Sequence, residues 1–304
     1  MHKSSTPAAQ LAPIARTRRL MARCYSACLG RAQYRSVNLP EFTVCGRYGE
    51  GRGTPVSLML IGDSTSLGCG ADRPDQVPAA LLAAALADEL GRPVDVRVEA
   101  ERGATATSMQ SQAETAVWAE PDVVVVMACA NDVLLPVRLH RRARRLACQI
   151  RLMRTEHCSV VVAACPDLGW GNGLHRPVRS LVRRRARRLA RLQTTVALAE
   201  GARVASLSEP LCHEDPSAAH AADGFHPSPD AYARAAARLL PAVLAAAGGT
   251  APERESPGPG ELNFPASDTA EHANTLNAHF APLGDGRVAL RLRRSMRMLP
   301  DAQI

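Results

Sequence analysis

Four short groups of residues have the side-chain types that nucleophilic acyl chemistry needs, and they follow one another along the chain. Ser64 stands in Ile61-Gly62-Asp63-Ser64, directly after an apolar run; taken alone, a serine at such a place is more often a turn residue or helix cap than a nucleophile. Gly103, in Glu101-Arg102-Gly103-Ala104-Thr105, offers a backbone N–H, although a glycine there also serves a simple turn. Asn131-Asp132 comes after the run Asp122–Met127, so the Asn131 amide either donates to a developing oxyanion or closes an Asx turn. Asp223-Gly224-Phe225-His226-Pro227 sets a carboxylate three residues before an imidazole. Across a tight turn that spacing lets the carboxylate reach one ring nitrogen while the other faces a nucleophile, as a triad requires.

The elements that must position these groups are visible as patterns. Val56–Ile61 is a short apolar run stopped by Gly62, the mark of a buried strand. Pro78–Leu90 predicts a helix closed by a left-handed cap at Gly91. Val94–Val98 alternates as an edge or near-edge strand, a helix is expected over Ser108–Trp118, and Asp122–Met127, apolar on both faces, is the expected central strand. The segment 138–156 has Leu139, Ala143, Leu146, Ile150 and Met153 on one stripe and arginines opposite, and 178–200 repeats the design with Val178, Val182, Leu189, Gln193 and Val196. Ser159–Ala163 and Arg203–Leu207 predict two more strands, and Ser228-Pro229-Asp230 opens the last helix with a capping serine, proline and an acid in the first turn. Strands alternating with helices imply a parallel sheet covered on both faces, and such sheets bind ligands at the carboxyl ends of their strands. All four groups above fall at those ends.

Gly62-Asp63-Ser64, Gly103, Asn131-Asp132 and Asp223-Gly224-Phe225-His226-Pro227 together resemble, in order and spacing, the four sequence blocks of the GDSL/SGNH hydrolases, a family of lipases and acylhydrolases. The resemblance covers about residues 55–247. It implies an α/β fold, a three-layer α/β/α sandwich with a flavodoxin-like, mainly five-stranded parallel sheet. It also implies Ser64 as nucleophile, His226 as base, Asp223 as its orienter, and an oxyanion hole of the Ser64 N–H, the Gly103 N–H and the Asn131 amide. The third block departs from the family pattern: Cys129 stands where a glycine is usual, bringing a thiol beside the expected oxyanion hole. Thr65 replaces the leucine of the family name, a common variation.

Charge is unevenly spread. Of the +8 total, residues 1–52 carry +7 and residues 251–304 carry −1, so the stretch between is nearly neutral. Three regions are expected: a basic N-terminal arm over 1–52, the hydrolase domain over 53–250, and a Pro/Gly-rich linker and tail over 251–304, whose alternating end is either a hairpin strand or disordered. The arm, with Leu11, Ile14, Arg18 and Met21 amphipathically placed, is a candidate for weak attachment to an anionic membrane or an acidic partner. No run reaches the roughly 18 apolar residues of a membrane span, and the N-terminus lacks the apolar stretch of a secretory signal. Nine scattered cysteines, an odd number, suggest free thiols in a reducing compartment, hence a cytoplasmic location. Cys24 and Cys28 have no second pair at zinc-site spacing, and neither a metal nor a cofactor is expected.

Other readings use fewer residues. An α/β-hydrolase needs G-x-S-x-G, and Gly62-Asp63-Ser64-Thr65-Ser66 lacks the last glycine. A phosphate loop over Ser64–Gly68 leaves Asp223 and His226 unused, and no G-x-G-x-x-G supports a dinucleotide. An acyltransferase built on the same residues stays open, because an alcohol can intercept an acyl-enzyme. A degenerate anionic-surface or nucleic-acid binder is disfavoured by the complete constellation and the absence of an aromatic stacking pattern, so no specific nucleic-acid binding is expected. The expected substrate is a small acyl ester. Leu168 and Trp170, in the loop after the fourth predicted strand, are candidate acyl-pocket walls together with Cys129, although a loop aromatic capping the core fits Trp170 equally well.

Overall fold

The computed structural model describes residues 39–248, apart from 41, 43, 156, 171–177 and 208–215. Six strands form one sheet: β1 (Gly46–Tyr48), β2 (Val56–Gly62), β3 (Val94–Ala100), β4 (Val123–Met127), β5 (Ser159–Ala164) and β6 (Arg203–Ser206), in the order β1-β3-β2-β4-β5-β6. The helices are α1 (Pro78–Leu90), α2 (Gln110–Ala119), α3 (Ala130–Leu134), α4 (Leu139–Met153), α5 (Val178–Ala199) and α6 (Pro229–Ala246). Strands β2 to β6 pair in parallel, as the alternation of strands and helices implies. Central β4 is Val-Val-Val-Val-Met and buried throughout, the composition of a strand with helices on both sides.

Alternation along the strands divides the core in two. Leu58, Leu60, Val123, Val125 and Val161 point to the face covered by α1 and α6, where Leu82, Leu86 and Leu239 are fully buried. Met59, Ile61, Val124, Val126, Val160 and Val162 point to the other face and pack on α2, α4 and α5 through Ala113, Ile150, Met153 and Leu189. Each fully buried Leu or Ile contributes about 1.5–3 kcal/mol by leaving water, so the two layers rest on the period-2 pattern of the strands. Gly91 ends α1 with φ 59° and ψ 26°, the left-handed geometry that suits glycine.

Two features differ from the sequence expectation. Gly46–Tyr48, expected to lie in the arm, pairs antiparallel with β3 through Gly46↔Val96, Arg47↔Asp95 and Tyr48↔Val94, and makes a sixth strand. Val44 beside it is buried in the α1/α6 core, so the chain joins the sheet several residues before the boundary expected after residue 52. After β4, where the sequence predicts no element and an Asx turn is one alternative for Asn131, the chain folds into the short helix α3, with Asn131 in its first turn. Residues 1–38, the stretch from 249 onward, and Cys24, Cys28 and Cys212 lie outside the described residues. Among the described residues no helix is long and apolar enough to cross a membrane.

Candidate active site

The turn that carries Ser64 follows β2 and is fixed from both sides. Gly62 has φ 151°, and a Cβ there would stand 2.0 Å from Met127 O and 2.4 Å from Ser66 Oγ, so only glycine fits. Gln112, on the buried side of α2, clamps the same residue twice: it accepts the Gly62 N–H at 2.8 Å and donates to Gly62 O at 3.0 Å. The fully buried Asp63 accepts the N–H and hydroxyl of Thr65 (2.9 and 2.6 Å) on one oxygen and the Cys129 N–H (3.3 Å) on the other. Burial pushes the Asp63 carboxyl up from its usual value, against the pull of those bonds. The buried Ser66 hydroxyl lies 3.1 Å from Ile61 O and 3.0 Å from Met127 O. Ser64 therefore sits on a turn tied to the ends of both β2 and β4.

The opposing loop brings Asp223 and His226. Asp223 Oδ1 accepts the backbone N–H groups of Phe225 (2.9 Å) and His226 (3.0 Å), an Asx turn that shapes the loop with Gly224 at φ 72°. This leaves Oδ2 to meet His226 Nδ1 at 2.6 Å, while His226 Nε2 lies 3.0 Å from Ser64 Oγ. A carboxylate only accepts, so Nδ1 carries the proton and Nε2 presents its lone pair to the Ser64 hydroxyl. Burial acts to raise the Asp223 carboxyl, but the bonds from the His226 ring and from the Phe225 and His226 N–H groups outweigh it and hold the group below its usual value. The loop reaches the Ser64 turn because Gly70 has no Cβ: one there would lie 2.3 Å from Pro227 O. The buried Tyr232 of α6 donates to Cys69 O at 2.7 Å and fastens the same junction.

Gly103 and Asn131 arrive on the neighbouring strand ends. Gly103 is exposed with φ 79°, and its neighbour Ala104 accepts the Asn131 amide at 2.9 Å. Asp132 adds a second tie, accepting the Ala106 N–H at 2.9 Å and lying 3.1 Å from Arg142 Nε; Gln149 of α4 donates to Ala106 O at 2.8 Å. Arg185, from the far helix α5, caps α3. Its Nε donates to Val133 O at 2.8 Å, and one terminal nitrogen donates to Leu135 O (2.6 Å), Asp132 O (3.2 Å) and Val137 O (3.2 Å). A cation at the carboxyl end of a helix satisfies carbonyls that have no partner within it.

The loop after β5 lies along the same edge. Asp167 is held by Arg183 at 2.7 Å, and Arg179 donates to Gly169 O at 2.6 Å. Leu168 is half-buried and packs against the α2/α4/α5 core, and Trp170 ends the short 3-10 turn Leu168–Trp170. Cys129 touches the same core. A bond with the Cys165 thiol, burial, and the nearby Asp63 and Asp132 push the Cys129 thiol well above its usual range. A thiol kept protonated is a poor nucleophile. Gln193 bridges the splaying ends of β4 and β5, accepting the Cys165 N–H at 2.9 Å and donating to Ala128 O at 3.0 Å. Among the described residues there is no group of three or more His, Cys, Asp or Glu side chains that could hold a metal.

The structure thus brings Ser64, Asp223 and His226 into one hydrogen-bonded line and ties Asn131 beside Gly103. Sequence reasoning did not assign the supporting roles of Asp63, Gln112, Asp132, Gln149, Arg185 and Gln193. A signal existed for some of them, because Gln112, Gln149 and Gln193 are polar residues on buried helix stripes.

Comparison with known proteins points the same way. The model of the GDSL-like lipase/acylhydrolase family matches residues 60–234. The GDSL-like esterase Rv1075c of Mycobacterium tuberculosis is 37% identical over 193 residues, which make up 62% of this chain and 62% of that relative, so the chain matches about three-fifths of its length. Among solved structures, TesA superposes with a TM-score of 0.51 at 23% identity, over 62% of this chain and 99% of TesA, a likeness of fold. The chain belongs to the GDSL-like lipase/acylhydrolase family.

Proposed function

We propose that this protein hydrolyses small carboxylic esters through an acyl-enzyme on Ser64. The observation that carries the reading is the unbroken line from Ser64 Oγ to His226 Nε2 (3.0 Å) and from His226 Nδ1 to Asp223 Oδ2 (2.6 Å). His226 takes the hydroxyl proton as Ser64 Oγ attacks the ester carbonyl. The resulting imidazolium is stabilised by Asp223, whose depressed carboxyl remains ionised. Negative charge on the former carbonyl oxygen is met by the Ser64 N–H, the Gly103 N–H and the Asn131 amide, whose Nδ2 has a second hydrogen beyond the one given to Ala104. His226 then returns its proton to the leaving alcohol. Water, activated in the same way, releases the acid and restores Ser64. Leu168, Trp170 and Cys129 are assigned to the acyl pocket, supported by their position at the carboxyl ends of β4 and β5.

The test is a panel of p-nitrophenyl esters from acetate to palmitate with the purified full chain. Turnover that favours one chain length and is abolished by Ser64→Ala supports the reading; a folded protein that turns over none of the esters contradicts it. Acyltransfer uses the same residues and is distinguished by adding an alcohol acceptor: transfer dominates if ester product accumulates at the expense of free acid.

A further inference from the structure

We propose that the outer face of α4 and α5 is a docking surface for an anionic phospholipid bilayer. The two helices lie side by side over one half of the sheet and bury Leu146, Ile150, Val182 and Leu189 inward. Arg141, Arg144, Arg145, Arg184, Arg187 and Arg188 are exposed, turned outward by the periodicity of the two helices. Together they carry twelve arginines and no Asp or Glu, whereas the rest of residues 53–250 carries a net −10. The near-neutral balance of the domain thus hides a strong separation of charge. Among the described residues, Asp132 meets Arg142, Glu200 meets Arg151, and Asp167 meets Arg183 and Arg187.

The basic positions of the two helices form one continuous field. Burial, followed by Arg144, Arg138, Arg141 and Arg188, pushes the His140 ring below its usual value, so arginines of α4 and α5 act on the same ring. Arg141 and Arg145, and likewise Arg184 and Arg188, are exposed and one helical turn apart, a spacing at which like charges destabilise a helix. An anionic surface removes that repulsion. Three of the five exposed large hydrophobic residues, Leu135, Leu152 and Leu181, lie on or beside the same helices. Basic side chains interspersed with leucines suit a lipid headgroup layer. Neither helix contains a Phe, Tyr or Trp, so the face lacks the usual platform for stacking bases, and this favours lipid over single-stranded nucleic acid. Both helices start at the carboxyl edge of the sheet, beyond β4 and β5, which is the edge that carries Ser64.

The test uses the full-length protein and a combined variant, Arg141→Gln, Arg145→Gln, Arg184→Gln and Arg188→Gln. Glutamine keeps the helix propensity of arginine, and none of the four residues belongs to the proposed catalytic machinery. Co-sedimentation is measured with vesicles of phosphatidylcholine and of equal parts phosphatidylcholine and phosphatidylglycerol. The native protein is expected to bind only the anionic vesicles and to be released by salt. A basic side chain at such a surface gives about fivefold in partitioning, so the variant should bind on the order of 10²–10³ more weakly, with an unchanged melting temperature. The melting control keeps the test independent of whether the protein hydrolyses esters. Absence of vesicle binding, or undiminished binding by the variant because the basic stretch before residue 39 carries it, would overturn the proposal. Tighter binding of a single-stranded RNA oligonucleotide than of vesicles, lost in the same variant, would overturn it in favour of a nucleic-acid surface.

Discussion

Residues 62–70 carry Ser64 and are held by groups from across the sheet: Gln112 from α2, Met127 O and the Cys129 N–H from the end of β4, and the Glu101 N–H from beyond β3. Residues 219–228 carry Asp223 and His226 and are held chiefly by one another. In that loop Ala221 N donates to His226 O (2.8 Å), Gly224 N to Ala221 O (2.9 Å) and Ser228 N to Ala219 O (3.0 Å), while Asp223 accepts the N–H groups of Phe225 and His226. The Ser64 turn is thus part of the core, whereas the loop with Asp223 and His226 is a locally closed unit docked at Gly70 and Tyr232. Damage to the first should appear as lost folding together with lost activity, and damage to the second chiefly as lost activity, with a smaller change in stability.

The largest effect expected within this contrast is that of His226→Ala. Turnover should fall by about 10⁴ or more, as when one member of a triad is removed, with little change in melting temperature because the backbone bonds of the loop remain. Calorimetry beside kinetics checks this; a large loss of stability would mean that the imidazole also holds the loop. Next is Gly62→Ala. Its Cβ meets the Met127 carbonyl in a left-handed backbone, so a cost of about 3 kcal/mol or more in urea unfolding is expected, and a variant that unfolds like the native protein would place the nucleophile turn outside the core.

Arg185→Met tests whether support from a remote helix reaches the site. With the carbonyls of α3 uncapped, Asn131 should lose its fixed position. A fall in kcat of about tenfold with KM little changed is expected if only transition-state contacts are lost, with partial rescue in Arg185→Lys. Equal changes in kcat and KM, or loss of stability alone, would make Arg185 a purely structural cap. The smallest effect concerns acid. The folded-state carboxyl of Asp223 is depressed below its usual value, so its contribution to stability is present above the unfolded-state value and is lost as pH falls through the folded one. Asp223→Asn should therefore be less stable than the native protein near neutrality, with the gap closing below about pH 4. A gap that stays constant through acid titration would show that the charge contributes nothing to stability.

Much of the fold is legible because long segments state their period. The Val-Val-Val-Val-Met run of β4, the Leu/Ala stripes of α4 and α5, and the Ser228-Pro229 start of α6 each point to one structure. Strand β1 is not legible: Gly46-Arg47-Tyr48 is short, largely exposed and without alternation, and only its partner β3 makes it a strand. Within the site, Ser64, Asp223 and His226 are recognisable by type and order, but most of their supports are not, since these bond to backbone N–H and C=O groups far along the chain. Arg185 illustrates the difficulty. It stands within Arg183–Arg188 among chemically identical neighbours, and only the turn of α5 decides which guanidinium meets α3. Gln193 sits on the same stripe as Val182, Leu189 and Val196, where a polar residue in an apolar position is itself the sign of a buried bond.

The central claim is that Ser64 is a nucleophile activated by His226. Its most direct test is reaction of the native protein, Ser64→Ala and His226→Ala with a fluorophosphonate, followed by digestion and mass measurement of the peptide spanning residue 64. The expected result is one covalent adduct on Ser64 in the native protein, none in Ser64→Ala, and labelling slowed by orders of magnitude in His226→Ala. A native, folded protein that acquires no adduct at Ser64, or that is labelled at the same rate without His226, would contradict the claim.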